Sequence, residues 1–221
     1  MTGSGAGTAS DSGAAAGSQN EPPPSASDKI LHAALSLFVT RGYPATTVEM
    51  IAREAGVAVQ TVYFSFRAKA NILTQLVDLN VTGDTAALQR AWVTEAITEP
   101  DPARQLEIQV KGTATMHSRV APLLGVLCRA SDTDPAVAQL WRTNQEQRRA
   151  LHRQLMTALR RKGGLSPGMR LSQAVDISYA MLGPELFQVL VTERGWSIAE
   201  WERWILGVLR RELLTVSGDR G

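Results

Sequence analysis

The chain has 221 residues, with 23 Lys+Arg against 21 Asp+Glu and 44% hydrophobic residues. That is long enough to bury a core without disulfide or metal staples, and a net charge of +2 means that any nucleic-acid surface must be local. The single cysteine, Cys128, excludes an internal disulfide and points to a reducing compartment. No apolar run approaches the roughly 20 residues of a bilayer span, and the chain starts without the basic-then-apolar pattern of a signal peptide. A cytoplasmic protein without membrane contact is therefore expected.

Residues 1–27 stand apart. Twenty of them are Gly, Ala, Ser or Pro, and none is Leu, Ile, Val, Phe, Tyr or Trp. Such a stretch cannot bury enough apolar surface to offset the entropy of ordering, which predicts a disordered tail. From Asp28 a helical period begins, with Ile30, Ala34, Leu37 and Phe38 on one face. Gly42 and Pro44 stop it. A second helix follows Thr46 and Thr47 and is interrupted at Gly56; a third, short one runs from about Ala58 to Phe66. The fourth starts near Lys69 and is read as continuing past Ala91, with Gly83 as a candidate flex point. Asp101-Pro102 and Asp134-Pro135 each look like an N-cap followed by proline at the first helical position. One segment is read from about Gly168 to Glu193, and Ser197 to Glu200 has capping-box spacing before a last helix. No strand-like alternation of useful length occurs. The fold class expected is all-α, with about nine helices.

The informative stretch is Thr47 to Phe66. Two short helices meet at Gly56, where a tight turn needs left-handed dihedrals. Ala52, four residues earlier, is small enough for the helices to cross closely, and Val57 and Val62 plug the space between them. This is helix-turn-helix spacing, in which the second helix can enter a major groove.

The context narrows it further. Ile30 to Phe38 precede Arg41-Gly42-Tyr43, followed by Ala45-Thr46-Thr47-Val48, Ile51-Ala52, Ala55-Gly56-Val57, Thr61-Val62-Tyr63, Phe66 and Lys69. In this order the run, about 50 residues, closely resembles the N-terminal domain of the tetracycline-repressor (TetR) family of bacterial transcription regulators. The resemblance implies a three-helix DNA-binding domain at residues 28–73 and an effector-binding, dimerising helical domain at 74–221. It places Thr46 or Thr47 at a phosphate contact where the second helix starts, a position whose free N–H groups suit an anion. Tyr63 and Lys69 match further phosphate contacts. Val59, Gln60, Thr61 and Phe64 match recognition-helix positions that can reach base edges; Gln60 can pair with adenine and Val59 can touch a thymine methyl. The recognition helix departs from many relatives in having no charged residue from Ala58 to Phe66. Residues 28–80 carry a net charge of only +1, so base readout leans on apolar contact and DNA shape.

The resemblance also implies that the last two long helices pair with those of a twin subunit, which makes Met181, Leu182, Leu186, Val189, Trp201, Trp204, Ile205 and Val208 the candidate dimer interface. Two recognition helices about 34 Å apart would then read a palindrome. The effector pocket is expected between Asn71 and Lys162, with Trp92, Met116, His117, Leu123, Leu127, Cys128 and Trp141 as candidate liners. The fourth helix is expected to carry the signal from Trp92 to Lys69.

The function expected is a homodimeric repressor that binds double-stranded operator DNA and is released by a small, hydrophobic effector, in a bacterial cytoplasm and associated with the nucleoid. An effector-independent DNA-binding protein or an activator are the alternatives. An enzyme on a helical scaffold finds no nucleophile elbow, phosphate loop or paired catalytic carboxylates. The three His and Cys128 lack metal-ligand spacing, so neither metal nor cofactor is expected.

Overall fold

A computed structural model describes residues 24–81 and 84–215. Among these residues the secondary structure is helical, apart from one isolated bridge between Leu165 and Leu214. The expected tail lies almost wholly outside the described residues. Its last residues do not: Ser25 and Asp28 form a capping box, so helix α1 (Ala26–Arg41) starts two residues before the apolar period becomes readable.

Helices α2 (Val48–Ala55) and α3 (Val59–Phe66) follow, then α4 (Lys69–Val81) and α5 (Asp84–Thr98). The single fourth helix read from the sequence is thus described as two elements, with Lys69 on α4 and Trp92 on α5; Gly83 lies outside the described residues. Helices α6 (Pro102–Ala130) and α7 (Pro135–Arg161) open as read, each on an aspartate. Asp101 accepts from Ala103 and Arg104 N–H, and Asp134 accepts from Ala136 N–H.

The segment read as one helix to Glu193 is broken. Helix α8 (Leu171–Met181) stops at Leu182-Gly183, α9 (Pro184–Phe187) restarts on the proline, and Gln188–Glu193 is π-helical. Pro184 has no N–H for the ladder and disfavours helical dihedrals at the residue before it. By length and composition alone, Leu171–Glu193 passes for a membrane span, which corrects the expectation that no run comes close. This stretch contributes Ala174, Val175, Leu182 and Phe187 to the protein's own core. Helix α10 (Ile198–Leu213) closes the fold behind the Ser197–Glu200 capping box.

The buried apolar side chains form two clusters. One joins α1–α4 to the C-terminal part of α6 and the start of α7. The other joins α5, the first part of α6, the end of α7 and α8–α10. Helix α6 is therefore a shared spine, about 43 Å long at 1.5 Å per residue. The two clusters meet at the middle of α6, where the cavity described below lies.

Candidate nucleic-acid interface and effector cavity

The turn between α2 and α3 is built as the residues dictate. Gly56 is left-handed at φ 66°, ψ 35°, and Val57 N–H donates to Ala52 O at 3.0 Å. Thr47 caps α2, its Oγ1 accepting from Met50 N–H. Helix α3 has no side-chain cap, since Ala58 stands at that position; in its first turn Thr61 N–H bonds Ala58 O at 3.0 Å, while the N–H groups of Val59 and Gln60 have no side-chain acceptor.

Helix α3 buries Val62 and Phe66 and leaves Gln60, Tyr63 and Phe64 outside. Phe64 is 91% exposed and Tyr63 48%. Thr61 is half-buried. One of the expected DNA contacts is corrected, and two others are partly engaged within the protein. Thr46 is fully buried, its hydroxyl donating to Gly42 O at 2.8 Å and Leu37 O at 3.3 Å, so it ties the α1–α2 loop and cannot meet a phosphate. Val59 packs half-buried against the first core cluster, which leaves only part of it for a base edge. Lys69 spends two of its three N–H donors inside the protein, on Tyr43 O at 2.7 Å and Thr46 O at 2.9 Å, with its ammonium 4.1 Å from the Tyr43 ring centre. Burial pulls the Lys69 pKa down and the nearby Asp134 carboxylate partly restores it. Lys69 thereby ties the start of α4 to the loop before α2.

The tie continues. Tyr43 is buried, and its hydroxyl donates to Asp134 Oδ2 at 2.8 Å. Burial, reinforced by that carboxylate, pushes the phenol well above its usual range. Asp134 is also the N-cap of α7, so one carboxylate fixes the start of α7 and the loop that precedes α2.

Between the two clusters lies a cavity of about 110 Å³. Trp92, Met116, His117 and Leu123 line it, as read from the sequence. Leu127, Cys128 and Trp141 do not. Leu127 and Trp141 are buried in the first cluster, and Cys128 packs against it, its thiol pKa raised by burial. Sequence reasoning missed the α7 wall, Asn144, Arg148, Leu151 and His152, and Val77 of α4. The period-four spacing of Asn144, Arg148 and His152 was the available signal, since it puts three polar side chains on one helix face.

Both cavity histidines are held neutral. His117 Nε2 bonds Leu182 O at 2.9 Å, a carbonyl freed by the break at Gly183-Pro184. Burial, with Arg148 adding to it, lowers the His117 pKa to about 4. His152 Nδ1 lies 2.8 Å from Ser178 Oγ, which accepts from Gln109 Nε2–H at 2.9 Å. Burial, Arg148 and His117 bring the His152 pKa to about 3. Arg148 lies over the Tyr179 ring, 4.6 Å from its centre, with Glu185 at 3.4 Å. Trp92 packs on α6 where Gly112 leaves room; a Cβ at Gly112 would overlap the indole.

The expected dimer face divides. Leu182, Trp201 and Ile205 are fully buried in the second cluster and serve the chain's own core, which corrects that part of the expectation. Met181, Leu186 and Val208 are half-buried, while Val189 and Trp204 are each 42% exposed. Trp204 packs edge-on against Trp196 at 5.8 Å.

Residues 30–76 match the family described as "Bacterial regulatory proteins, tetR family". The HTH-type transcriptional regulator TtgW of Pseudomonas putida is 35% identical over 71 residues, 29% of this chain and 52% of that protein. The match thus spans about half the length of that relative. Similar solved structures include NalD, the secondary repressor of the MexAB-OprM multidrug efflux pump in Pseudomonas aeruginosa. It is 23% identical, with a TM-score of 0.67 over 86% of this chain and 96% of that one. The fatty acid degradation regulator FadR of Bacillus halodurans has a TM-score of 0.67 at 18% identity, covering 91% and 99%. A transcriptional regulator from Saccharomonospora viridis in complex with choline has a TM-score of 0.65 at 19% identity, covering 86% and 97%. Residues 30–76 thus carry a helix-turn-helix domain of the tetR family of bacterial regulatory proteins, set on an all-helical body whose fold matches those solved structures.

Proposed function

We propose that this chain is a homodimeric transcriptional repressor of the bacterial cytoplasm, which binds a palindromic operator and leaves it when a small effector fills the cavity. The observation that carries the reading is the mechanical join between the two. Helix α4 gives Lys69 to the reading head and Val77, eight residues on, to the cavity wall. The α7 that carries Asn144, Arg148 and His152 into the wall begins at Asp134, which holds Tyr43. A ligand that prefers one tilt of α4 and α7 therefore moves the loop before α2, and with it α3. A coupling of about 1–3 kcal/mol changes operator affinity roughly 5- to 150-fold.

On this reading Thr47, the uncapped start of α3 and Tyr63 meet phosphates, while Gln60, Thr61 and Phe64 meet base edges. The exposed parts of α8–α10, with Met181, Leu186, Val189, Trp204 and Val208, meet the twin subunit.

The test is a gel shift of the full chain with the DNA flanking its own coding region, with and without a panel of small apolar compounds. A shift that a cavity-binding compound reverses is the result expected. Binding with no sequence preference over random DNA, or no compound that changes it, would count against the reading.

A further inference from the structure

The cavity wall is apolar along Met116, Leu123, Leu124 and Leu151, yet three of its buried polar atoms have no partner among the described residues: Trp92 Nε1, His117 Nδ1 and Asn144 Oδ1. Buried polar groups in folded proteins are nearly always satisfied, so three on one cavity call for a ligand that satisfies them. The sense of one is fixed. Leu182 O can only accept, so the hydrogen of the His117 ring sits on Nε2. The ring is neutral at pH 7, which leaves Nδ1 a bare lone pair that can only accept.

That excludes whole classes of ligand. An ether, ketone or carboxylate oxygen set against Nδ1 brings lone pair to lone pair and leaves the nitrogen desolvated and unpaired. An ammonium group would satisfy Nδ1, but it would bring a second cation into an apolar cavity beside the Arg148 guanidinium, whose carboxylate partner Glu185 is already engaged with it. What remains is an uncharged group with its own hydrogen. A hydroxyl donates to Nδ1 and still offers a lone pair to an N–H such as that of Trp92.

Building on the effector reading above, we propose that this cavity selects an uncharged, compact apolar molecule bearing a hydroxyl group, which donates its hydrogen to His117 Nδ1.

The test uses the full chain and three probes of one shape: 4-propylphenol, its methyl ether 4-propylanisole, and 4-propylbenzoate. Calorimetric titration at pH 7.5 should find the phenol bound at least about 10-fold more tightly than the other two, the discrimination a site gains from a hydrogen bond that the analogue cannot make. The ¹⁵N resonance of His117 Nδ1 should move with the phenol and stay put with the ether. In His117→Phe, phenol and ether should bind within about 2-fold of each other. Should that variant fail to fold, the wild-type series and the ¹⁵N shift decide alone. Ether or benzoate binding as tightly as the phenol, no phenol binding, or a preference that survives His117→Phe would each overturn the proposal. Benzoate bound most tightly and releasing DNA would overturn it and leave the effector reading standing. Selective phenol binding that leaves DNA affinity unchanged would support it and defeat the effector reading instead.

Discussion

Tyr43 donates its hydroxyl hydrogen to Asp134 at 2.8 Å, across 91 residues of sequence, and so ties the loop before the reading head to the N-cap of the helix that walls the cavity. A buried hydrogen bond to a carboxylate contributes about 1–3 kcal/mol. Tyr43→Phe keeps the ring against Phe38 and under Lys69 and removes only that bond. It should lower unfolding stability by about 1–2 kcal/mol in urea and leave operator affinity within about 3-fold. The larger loss should be in coupling, since the effector's ability to weaken DNA binding then passes through α4 alone. Equal ligand response in Tyr43→Phe and wild type would show that this bond is only structural.

Phe64 and Phe66 sit two residues apart and face opposite ways: Phe66 is buried in the first cluster, whereas Phe64 is 91% exposed. Phe66→Ala should cost about 3–5 kcal/mol of stability, the usual loss for a buried aromatic. Phe64→Ala should change stability by no more than about 0.5 kcal/mol, because it removes no packed contact, and yet weaken operator binding at least about 5-fold. Thermal unfolding and fluorescence anisotropy on the same samples separate the two effects. An unchanged affinity for Phe64→Ala would leave Gln60 and Thr61 as the base readers.

How much of this could be read in advance depends on how local each cause is. Caps and turns depend on a few neighbouring residues, so Asp101, Asp134, Ser197 and the left-handed Gly56 all stand where the sequence puts them. Burial depends on the far side of the fold. Nothing near Thr46 says that its hydroxyl turns inward to Leu37 and Gly42, and nothing near Leu127 or Trp141 says which of two clusters they join. Periodicity alone continues α8 through Gly183-Pro184, although the proline there is the local signal that stops it. The cavity is half legible: its aromatic and Met side chains stand out by type, whereas the polar face of α7 reads like any solvated helix face.

Trp201 and Trp204 make the corresponding contrast on α10. Trp201 is fully buried, edge-on to Phe187 at 5.2 Å; Trp204 is 42% exposed. A tryptophan at the centre of an interface carries a large share of association energy. Trp204→Arg should therefore give a folded protein of lower molecular mass by light scattering at micromolar concentration, with helical circular dichroism retained. Trp201→Ala should lose about 3–5 kcal/mol of stability whatever the oligomeric state. A Trp204→Arg protein with the mass of the wild type would count against Trp204 in the proposed dimer contact.

Stability should fall steeply with mild acid, and the cavity histidines set the window. Their folded pKa values, about 4 for His117 and about 3 for His152, lie below the ordinary value of 6.5. A histidine with a lowered folded pKa binds protons more readily when unfolded. Its contribution is fully present above about pH 6.5 and is lost as pH falls toward the folded value. At pH 5 each ring should cost about 2 kcal/mol relative to neutral pH. Burial is the main cause of both neutral rings; Arg148 adds to it at each, His117 adds to it at His152, and Glu185 opposes it at His117. His117→Gln keeps a donor for Leu182 O and cannot protonate, so its melting temperature should fall less between pH 7 and pH 5 than that of the wild type, and His152→Gln should behave alike. Variants with the wild-type slope over that interval would assign the acid sensitivity to groups outside the cavity.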